Sequence, residues 1–218
     1  MERKRSLKCL IIALIPVVIG IMLSGCGTVQ WHLMELNLDR PNPSQIHNIK
    51  YIPDDKSEPE LQRQVEDFMS YYFDSHAEEM GYYTVNFTYR EEPKLGWLMI
   101  SAVTLFIPNL IGMPISNSDY RLYAYLRIYD SRGDLVQTFQ KAKYFKGYSG
   151  LYYPTKANIT KKFGDTYSQL LPDLLKQADR DTRTINAMLD AAGPVTIENA
   201  AVARTKIRGT VMTSTFER

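Results

Sequence analysis

The chain has 218 residues, enough for about one domain, and 44% of them are hydrophobic while 23% are charged. This composition is that of an ordinary globular protein and excludes a disordered, collagen-like or multi-span membrane protein. Residues 1–25 hold four basic side chains and one acidic one, and the remainder holds 22 basic and 23 acidic side chains. A nearly neutral body lacks the basic face that nucleic-acid binding requires, so no nucleic-acid partner is expected.

The N-terminus has the pattern of an export signal. A short basic stretch is followed by 15 residues without charge, at 9–23, which is too short a run for a membrane-spanning helix. A run of this length, followed by small residues, is typical of a signal peptide. The sequence therefore predicts a signal peptide over residues 1–25.

The tetrapeptide at the end of this run resembles the lipobox of bacterial lipoproteins, and its residues are Leu23, Ser24, Gly25 and Cys26. In that motif the cysteine thiol receives a diacylglyceryl group, and the small residues before it give a protease access. The resemblance implies a lipidated Cys26 and a membrane partner reached through this lipid. Because Gly27 follows the cysteine, it also implies a cell-envelope location, at the outer membrane. The alternatives are an ordinary signal peptide with an incidental cysteine and an uncleaved anchor.

The strongest strand pattern lies at residues 119–130, where aliphatic and polar or aromatic side chains alternate. The aliphatic side chains are expected in the core. The opposite face, named here the tyrosine–arginine face, carries Arg121, Tyr123, Tyr125, Arg127 and Tyr129. A turn around Gly133 leads to a partner strand over 135–144, which predicts a hairpin. Residues 26–56 are predicted to form a tether and the first short strands.

Two segments have apolar residues at helical spacing, at 57–80 and 158–192, and the second is expected to kink or divide at Pro172. The order of elements predicts an α+β fold, with an antiparallel sheet and two main helices packed on one face. These elements form one domain over 57–192. Residues 193–218 have no firm periodicity and are expected to form a tail of uncertain order.

An apolar segment, residues 95–114, contains no charged side chain although it lies between two predicted strands, over 82–90 and 119–130. It can close the core, enter the outer leaflet beside the lipid, or dock on another envelope protein. Trp97 suits a membrane interface, and Phe106 and Ile107 are further candidates for membrane or docking contacts. We favour the core-closing role, because the segment directly follows a strand and can fold back on the sheet.

A second resemblance covers residues 97–134. Its apolar part consists of Trp97, Leu98, Ser101, Thr104 and Pro108, and its hairpin part of Tyr120, Leu122, Tyr129, Asp130 and Gly133. This pattern resembles a group of small bacterial envelope lipoproteins to which no activity is assigned. It implies an envelope setting and adds no chemistry.

Catalytic chemistry has little support in the sequence. There are three histidines. The one cysteine after the signal, Cys26, is the expected lipid attachment site. No phosphate-binding glycine motif or zinc-ligand spacing occurs, so catalytic residues, metal and cofactors are not expected. The sequence predicts a lipid-anchored, non-enzymatic cell-envelope protein that binds another envelope protein or has a structural role. The alternative is a glycan-binding or glycan-acting protein that uses the tyrosine–arginine face.

Overall fold

The computed structural model describes residues 31–39, 42–53, 58–73, 78–94, 96–105, 107–149 and 156–213. Within these residues the protein is α+β, as predicted, with four strands in one sheet and six helices. The strands are β1 (Ile49–Tyr51), β2 (Gly81–Lys94), β3 (Ser116–Asp130) and β4 (Leu135–Ser149). The helices are α1 (Pro59–Tyr72), α2 (Gly96–Val103), α3 (Ile107–Leu110), α4 (Lys156–Arg180), α5 (Thr182–Ala192) and α6 (Ile197–Thr213).

The sheet has the strand order β1-β2-β3-β4 and is mixed. β1 runs parallel to β2, with Ile49 opposite Gly81 and Tyr51 opposite Tyr83. The prediction of an antiparallel sheet is therefore wrong for β1. The physical reason is the connection, because α1 separates β1 from β2 in the chain and parallel neighbours require such a crossover.

Contacts group the described residues into two compact units. The larger unit consists of Trp31–Arg90, Tyr120–Phe145 and residues 161–213. The smaller unit consists of Glu91–Asp119 and Lys146–Thr160. Most buried apolar side chains belong to the larger unit, and the apolar segment belongs to the smaller one.

The core of the larger unit is built on the predicted alternation of β3. Its fully or almost fully buried side chains are Tyr120, Leu122, Ala124, Leu126 and Ile128. Burial of a leucine or isoleucine side chain contributes roughly 1.5–3 kcal/mol. Phe163 of α4 packs edge-on against Tyr120, with ring centres 5.6 Å apart. Helix α4 therefore covers this face of β3.

Helix α1 begins at Pro59 and ends at Tyr72, so it is shorter than the predicted helix over 57–80. Phe73 leaves the helical conformation, with ψ 93°, while its amide still donates a hydrogen bond to the Met69 carbonyl. Tyr72 and Phe73 are both buried and pack edge-to-face at 4.8 Å. The apolar spacing beyond Tyr72 therefore reflects burial at the helix end.

The predicted helix over 158–192 is divided, but at Asp181 and not at Pro172. α4 continues through Pro172, which removes one backbone hydrogen bond from the helix. Leu171 and Leu174 on either side of it are fully buried, and their burial offsets that loss. α5 ends at Ala192, and the amide of the next residue, Gly193, donates to carbonyls of the last turn.

Helix α6 lies within the stretch for which the sequence predicted no regular element. Two of its side chains, Ala203 and Ile207, are buried four residues apart. They pack in one cluster with Ile52, Tyr82 and Tyr129. A helix that buries so few apolar residues gives almost no periodic signal, which explains why the sequence pattern did not predict it.

The turn between β3 and β4 is held by hydrogen bonds of Asp130. Its amide donates to the Asp134 carbonyl at 2.9 Å. Its carboxylate accepts hydrogen bonds from the amides of Arg132 and Asp134 at 2.8 and 2.9 Å. Lys206 of α6 pairs with Asp134 at 2.6 Å, so the turn is also tied to α6.

Candidate functional site

The structure brings together four residues of the tyrosine–arginine face, namely Arg121, Tyr123, Tyr125 and Arg127, and all four are half-buried. The rings of Tyr123 and Tyr125 have centres 6.3 Å apart and planes inclined by 22°. The Arg127 guanidinium lies 5.6 Å from the centre of the Tyr125 ring. These residues are brought together because side chains two apart on a strand point the same way.

Strand β4 extends this surface. The Arg121 guanidinium lies 4.8 Å from the ring centre of Tyr144, which is largely exposed. Gln140 donates a hydrogen bond to the Tyr125 hydroxyl at 3.4 Å. A guanidinium held over a ring keeps its N–H edges directed sideways, where they can meet a carboxylate or a hydroxyl. The surface can therefore stack on a flat ligand and donate hydrogen bonds to it.

Tyr129 does not join the rest of the tyrosine–arginine face, because it is almost completely buried. It packs in the cluster that contains Ala203 and Ile207 of α6. Burial raises the pKa of its phenol, and the nearby Arg127 guanidinium offsets part of that rise. The prediction of Tyr129 as a binding residue is wrong, since α6 covers the sheet at this end.

The apolar segment exposes most of its large apolar side chains in the structure. The large exposed ones among its described residues are Met99, Ile100, Val103, Leu105, Ile107, Leu110, Ile111 and Met113. Val103, Leu105 and Ile111 are 83%, 79% and 80% exposed. Trp97 is half-buried, and Phe106 lies outside the described residues. These exposures contradict the core-closing role that we favoured from the sequence.

Two polar side chains of the apolar segment are buried, whereas Thr104 is exposed. Ser101 and Asn109 are only 2% and 1% exposed. The Asn109 side chain donates hydrogen bonds to the carbonyls of Met113 and Pro114, at 3.1 and 3.0 Å. The segment therefore exposes most of its large apolar side chains while it buries two polar ones, which is unusual in water.

Two charged residues flank the apolar segment and pair with each other. Lys94, at the end of β2, lies 2.5 Å from Asp119 in β3. The hydrogen bond to the Asp119 carboxylate, together with its charge, raises the pKa of Lys94. The first charged groups on either side of the segment are thus joined in one ion pair.

The lipobox residues Leu23, Ser24, Gly25 and Cys26 lie outside the described residues. The chain is already packed against the larger unit at Trp31. The Trp31 ring lies 5.9, 6.1 and 6.2 Å from the rings of Tyr89, Phe163 and Tyr167.

The residues that follow Trp31 are also fixed. The Asn37 amide donates to the Ser168 hydroxyl at 2.8 Å. A Cβ on Gly164 of α4 would overlap the Glu35 carbonyl, so the chain crosses the helix in close contact. Much of the stretch predicted as a tether is therefore part of the fold. Met34, which is 1% exposed, is the buried side chain of this stretch.

Several polar groups that can act in catalysis are engaged in contacts between elements. His47 pairs with Asp190 of α5 at 3.0 Å. The Tyr72 hydroxyl lies 2.6 Å from the Asp179 carboxylate. Burial raises the pKa of the Tyr72 phenol. Across the described ranges, no three histidine, cysteine or carboxylate side chains are grouped so that they could hold a metal ion.

No protein-family model matches the chain, and no curated protein is significantly similar to it in sequence. Of the helices that the structure describes, none combines the length and the apolar character needed to cross a membrane.

Proposed function

We propose that this chain is a lipid-anchored protein of the bacterial cell envelope, held at the outer membrane, that binds another envelope protein or contributes to envelope structure without catalysis. The observation that carries the proposal is the lipobox of Leu23, Ser24, Gly25 and Cys26, placed at the end of an export signal. The two resemblances noted in the sequence support the same setting.

The position of Trp31 supports an anchoring role for the residues before it. Five residue steps separate Cys26 from Trp31, and a fully extended chain of this length spans about 18 Å at most. A lipid on Cys26 would therefore hold the larger unit close to the membrane. A body held this close is suited to a partner that is itself at the membrane surface.

We also propose that α1 and α4 are the two main helices on one face of the sheet. Phe73, directly after α1, packs on Tyr83 of β2 with ring centres 4.7 Å apart. Tyr167 of α4 packs on Phe87 of β2 at 4.4 Å. This arrangement would leave the half-buried residues of the tyrosine–arginine face on the other side, as a surface for binding.

The contacts of the polar groups support a non-enzymatic role. His47 and Asp190 connect the residues before β1 to α5. Asp179 accepts hydrogen bonds from Tyr72 and Ser44, and so connects three parts of the larger unit. These groups have structural partners, which accounts for their positions without a reaction.

Metabolic labelling with a clickable fatty acid tests the anchor. Cys26→Ser in the full chain should abolish the label and release the protein from membranes. Cys9→Ser is the matched control, because Cys9 leaves with the signal peptide, and it should keep the label. A Cys26→Ser protein that is still labelled and still sediments with membranes would refute the proposal.

A glycan-binding role is the second candidate, and the near-parallel rings of Tyr123 and Tyr125 favour it. Sugars stack on such aromatic faces. Tyr123→Ala should lower retention of the protein on insoluble cell-wall glycan several-fold. Tyr71→Ala, at an exposed tyrosine of α1, is the control and should not change it. Equal retention of both variants and the parent protein would exclude this role for the face.

A further inference from the structure

The apolar segment has an exposed surface that water does not favour. Eight of its described large apolar side chains are exposed, and its buried side chains include Ser101 and Asn109. A large uncharged apolar surface marks a site that meets another apolar phase. The question is whether that phase is lipid or protein.

The backbone of the segment satisfies its own hydrogen bonds at the turns. The amides of Thr104, Leu105 and Ile107 donate to the carbonyls of Ile100, Ala102 and Thr104, respectively. The Thr104 hydroxyl also donates to the Ile100 carbonyl, at 2.7 Å. Beyond α3, the amides of Ile111, Gly112 and Met113 donate hydrogen bonds to carbonyls of the same turn.

These hydrogen bonds favour lipid over a protein partner. Irregular backbone can enter a bilayer only when its polar groups are satisfied within the protein. A protein interface, in contrast, has a polar rim and forms hydrogen bonds across it. The apolar segment has no charged residue, and it directs Asn109 to its own carbonyls.

The turn between α2 and α3 supplies an independent observation. Leu105 has a φ of +52°, a left-handed conformation that leucine rarely adopts. Its side chain is nevertheless exposed at this turn. Strained backbone of this kind is often associated with function, and here it places an apolar side chain at the end of the turn.

We propose that residues 96–105 and 107–113 insert into one leaflet of a lipid bilayer, with Leu105 and Ile107 among the residues that contact acyl chains. Helix α2 has eight residues and is about 12 Å long, which is less than half of the hydrocarbon thickness. Trp97 then lies near the lipid–water boundary, where indole rings are favoured. The choice of the anchoring membrane rests on the proposed lipid at Cys26, but the insertion rests on the segment alone.

Photocrosslinking in the full chain tests the proposal. p-Benzoylphenylalanine replaces Ile107 in one variant and Val202 in another, since both side chains are exposed and the second lies on α6. Each protein is reconstituted in vesicles of phosphatidylethanolamine and phosphatidylglycerol with radiolabelled acyl chains. We expect at least fivefold more labelled lipid on the probe at position 107 than on the probe at position 202. Equal labelling, or a crosslink from 107 to a protein or to a second copy of this chain, would overturn it.

A charged variant adds a second measurement. Leu105→Asp places a carboxylate at the end of the turn, and aspartate tolerates left-handed backbone better than leucine does. It should lower lipid crosslinking at position 107 at least fivefold with an unchanged melting temperature. Undiminished crosslinking would contradict insertion of the turn. Fatty-acid labelling of Cys26 is read separately, so loss of the anchor and failure of insertion are distinguishable.

Discussion

Gly133, in the turn between β3 and β4, lies so close to Ala203 of α6 that a Cβ atom on Gly133 would be 2.9 Å from the Ala203 Cα. The same Cβ would be 2.9 Å from the Ala203 carbonyl oxygen. Gly133 is buried and has a φ of +78°. The turn therefore requires glycine both for its backbone conformation and for the approach of α6.

Gly133→Ala should destabilise the protein by about 1–3 kcal/mol, because it combines a strained φ with a steric overlap at Ala203. Urea unfolding followed by circular dichroism measures the change. Gly209→Ala, also on α6, is the control, since a Cβ there meets nothing within 4 Å. It should be neutral or stabilising by up to about 1 kcal/mol, as alanine is the better helix former. Equal changes in the free energy of unfolding would mean that α6 does not contact the turn closely.

Leu126→Asp should cost several kcal/mol and unfold the domain, because it places a charge at a fully buried position of β3. Tyr125→Asp, one residue away on the half-buried face, should be much milder. Thermal unfolding of both variants gives the comparison. Similar losses in the two would indicate that the tyrosine–arginine face is as well covered as the core face.

Tyr72→Phe should cost about 1–2 kcal/mol, because it removes the hydroxyl that lies 2.6 Å from the Asp179 carboxylate and 3.0 Å from the Leu175 carbonyl. Asp179→Ala should cost a similar amount. In a double-mutant cycle, the pair should show a coupling of about 1 kcal/mol. Additive losses would show that the two groups do not interact in solution.

Stability should fall at alkaline pH. Burial raises the pKa of Tyr72 and Tyr83 above the ordinary value of 10.0. The folded state then holds these phenolic protons more tightly than the unfolded state does. Their stabilising contribution is complete below about pH 10 and is lost as the pH rises further, by up to about 1.4 kcal/mol per pH unit for each group.

The free energy of unfolding, measured in urea from pH 8 to 11.5, should therefore be level at first and then decline. Tyr83→Phe should make the alkaline decline shallower, because it removes one phenol that titrates only in the unfolded state. An unchanged slope in this variant would argue against burial of Tyr83.

The sequence predicted the parts of the fold that have a strong period. In β3, α1 and α4 the buried apolar side chains recur at the spacing of a strand or a helix. That spacing in the sequence predicts these elements. β1 was predicted only as one of the first short strands, and its parallel pairing depends on the crossover through α1, which no local pattern records. Helix α6 buries too few side chains to produce a period.

The candidate sites were predictable only in part. Side chains two apart on a strand share a face, which is why Arg121, Tyr123, Tyr125 and Arg127 came together. Tyr129 was misassigned because its burial depends on Ala203 and Ile207, more than 70 residues later in the chain. The apolar segment was recognised, but its composition could not reveal that Asn109 turns inward. That inversion depends on hydrogen bonds to two carbonyls.

The packing of Trp31 among three aromatic rings also bears on how strongly a partner must bind. With a lipid on Cys26 and the chain fixed at Trp31, the protein would diffuse in the plane of the membrane and would meet another membrane-held protein by lateral search. Confinement of both proteins to one surface raises the concentration at which they meet. A partner at the tyrosine–arginine face would then be held by contacts that are too weak to detect between two freely dissolved proteins.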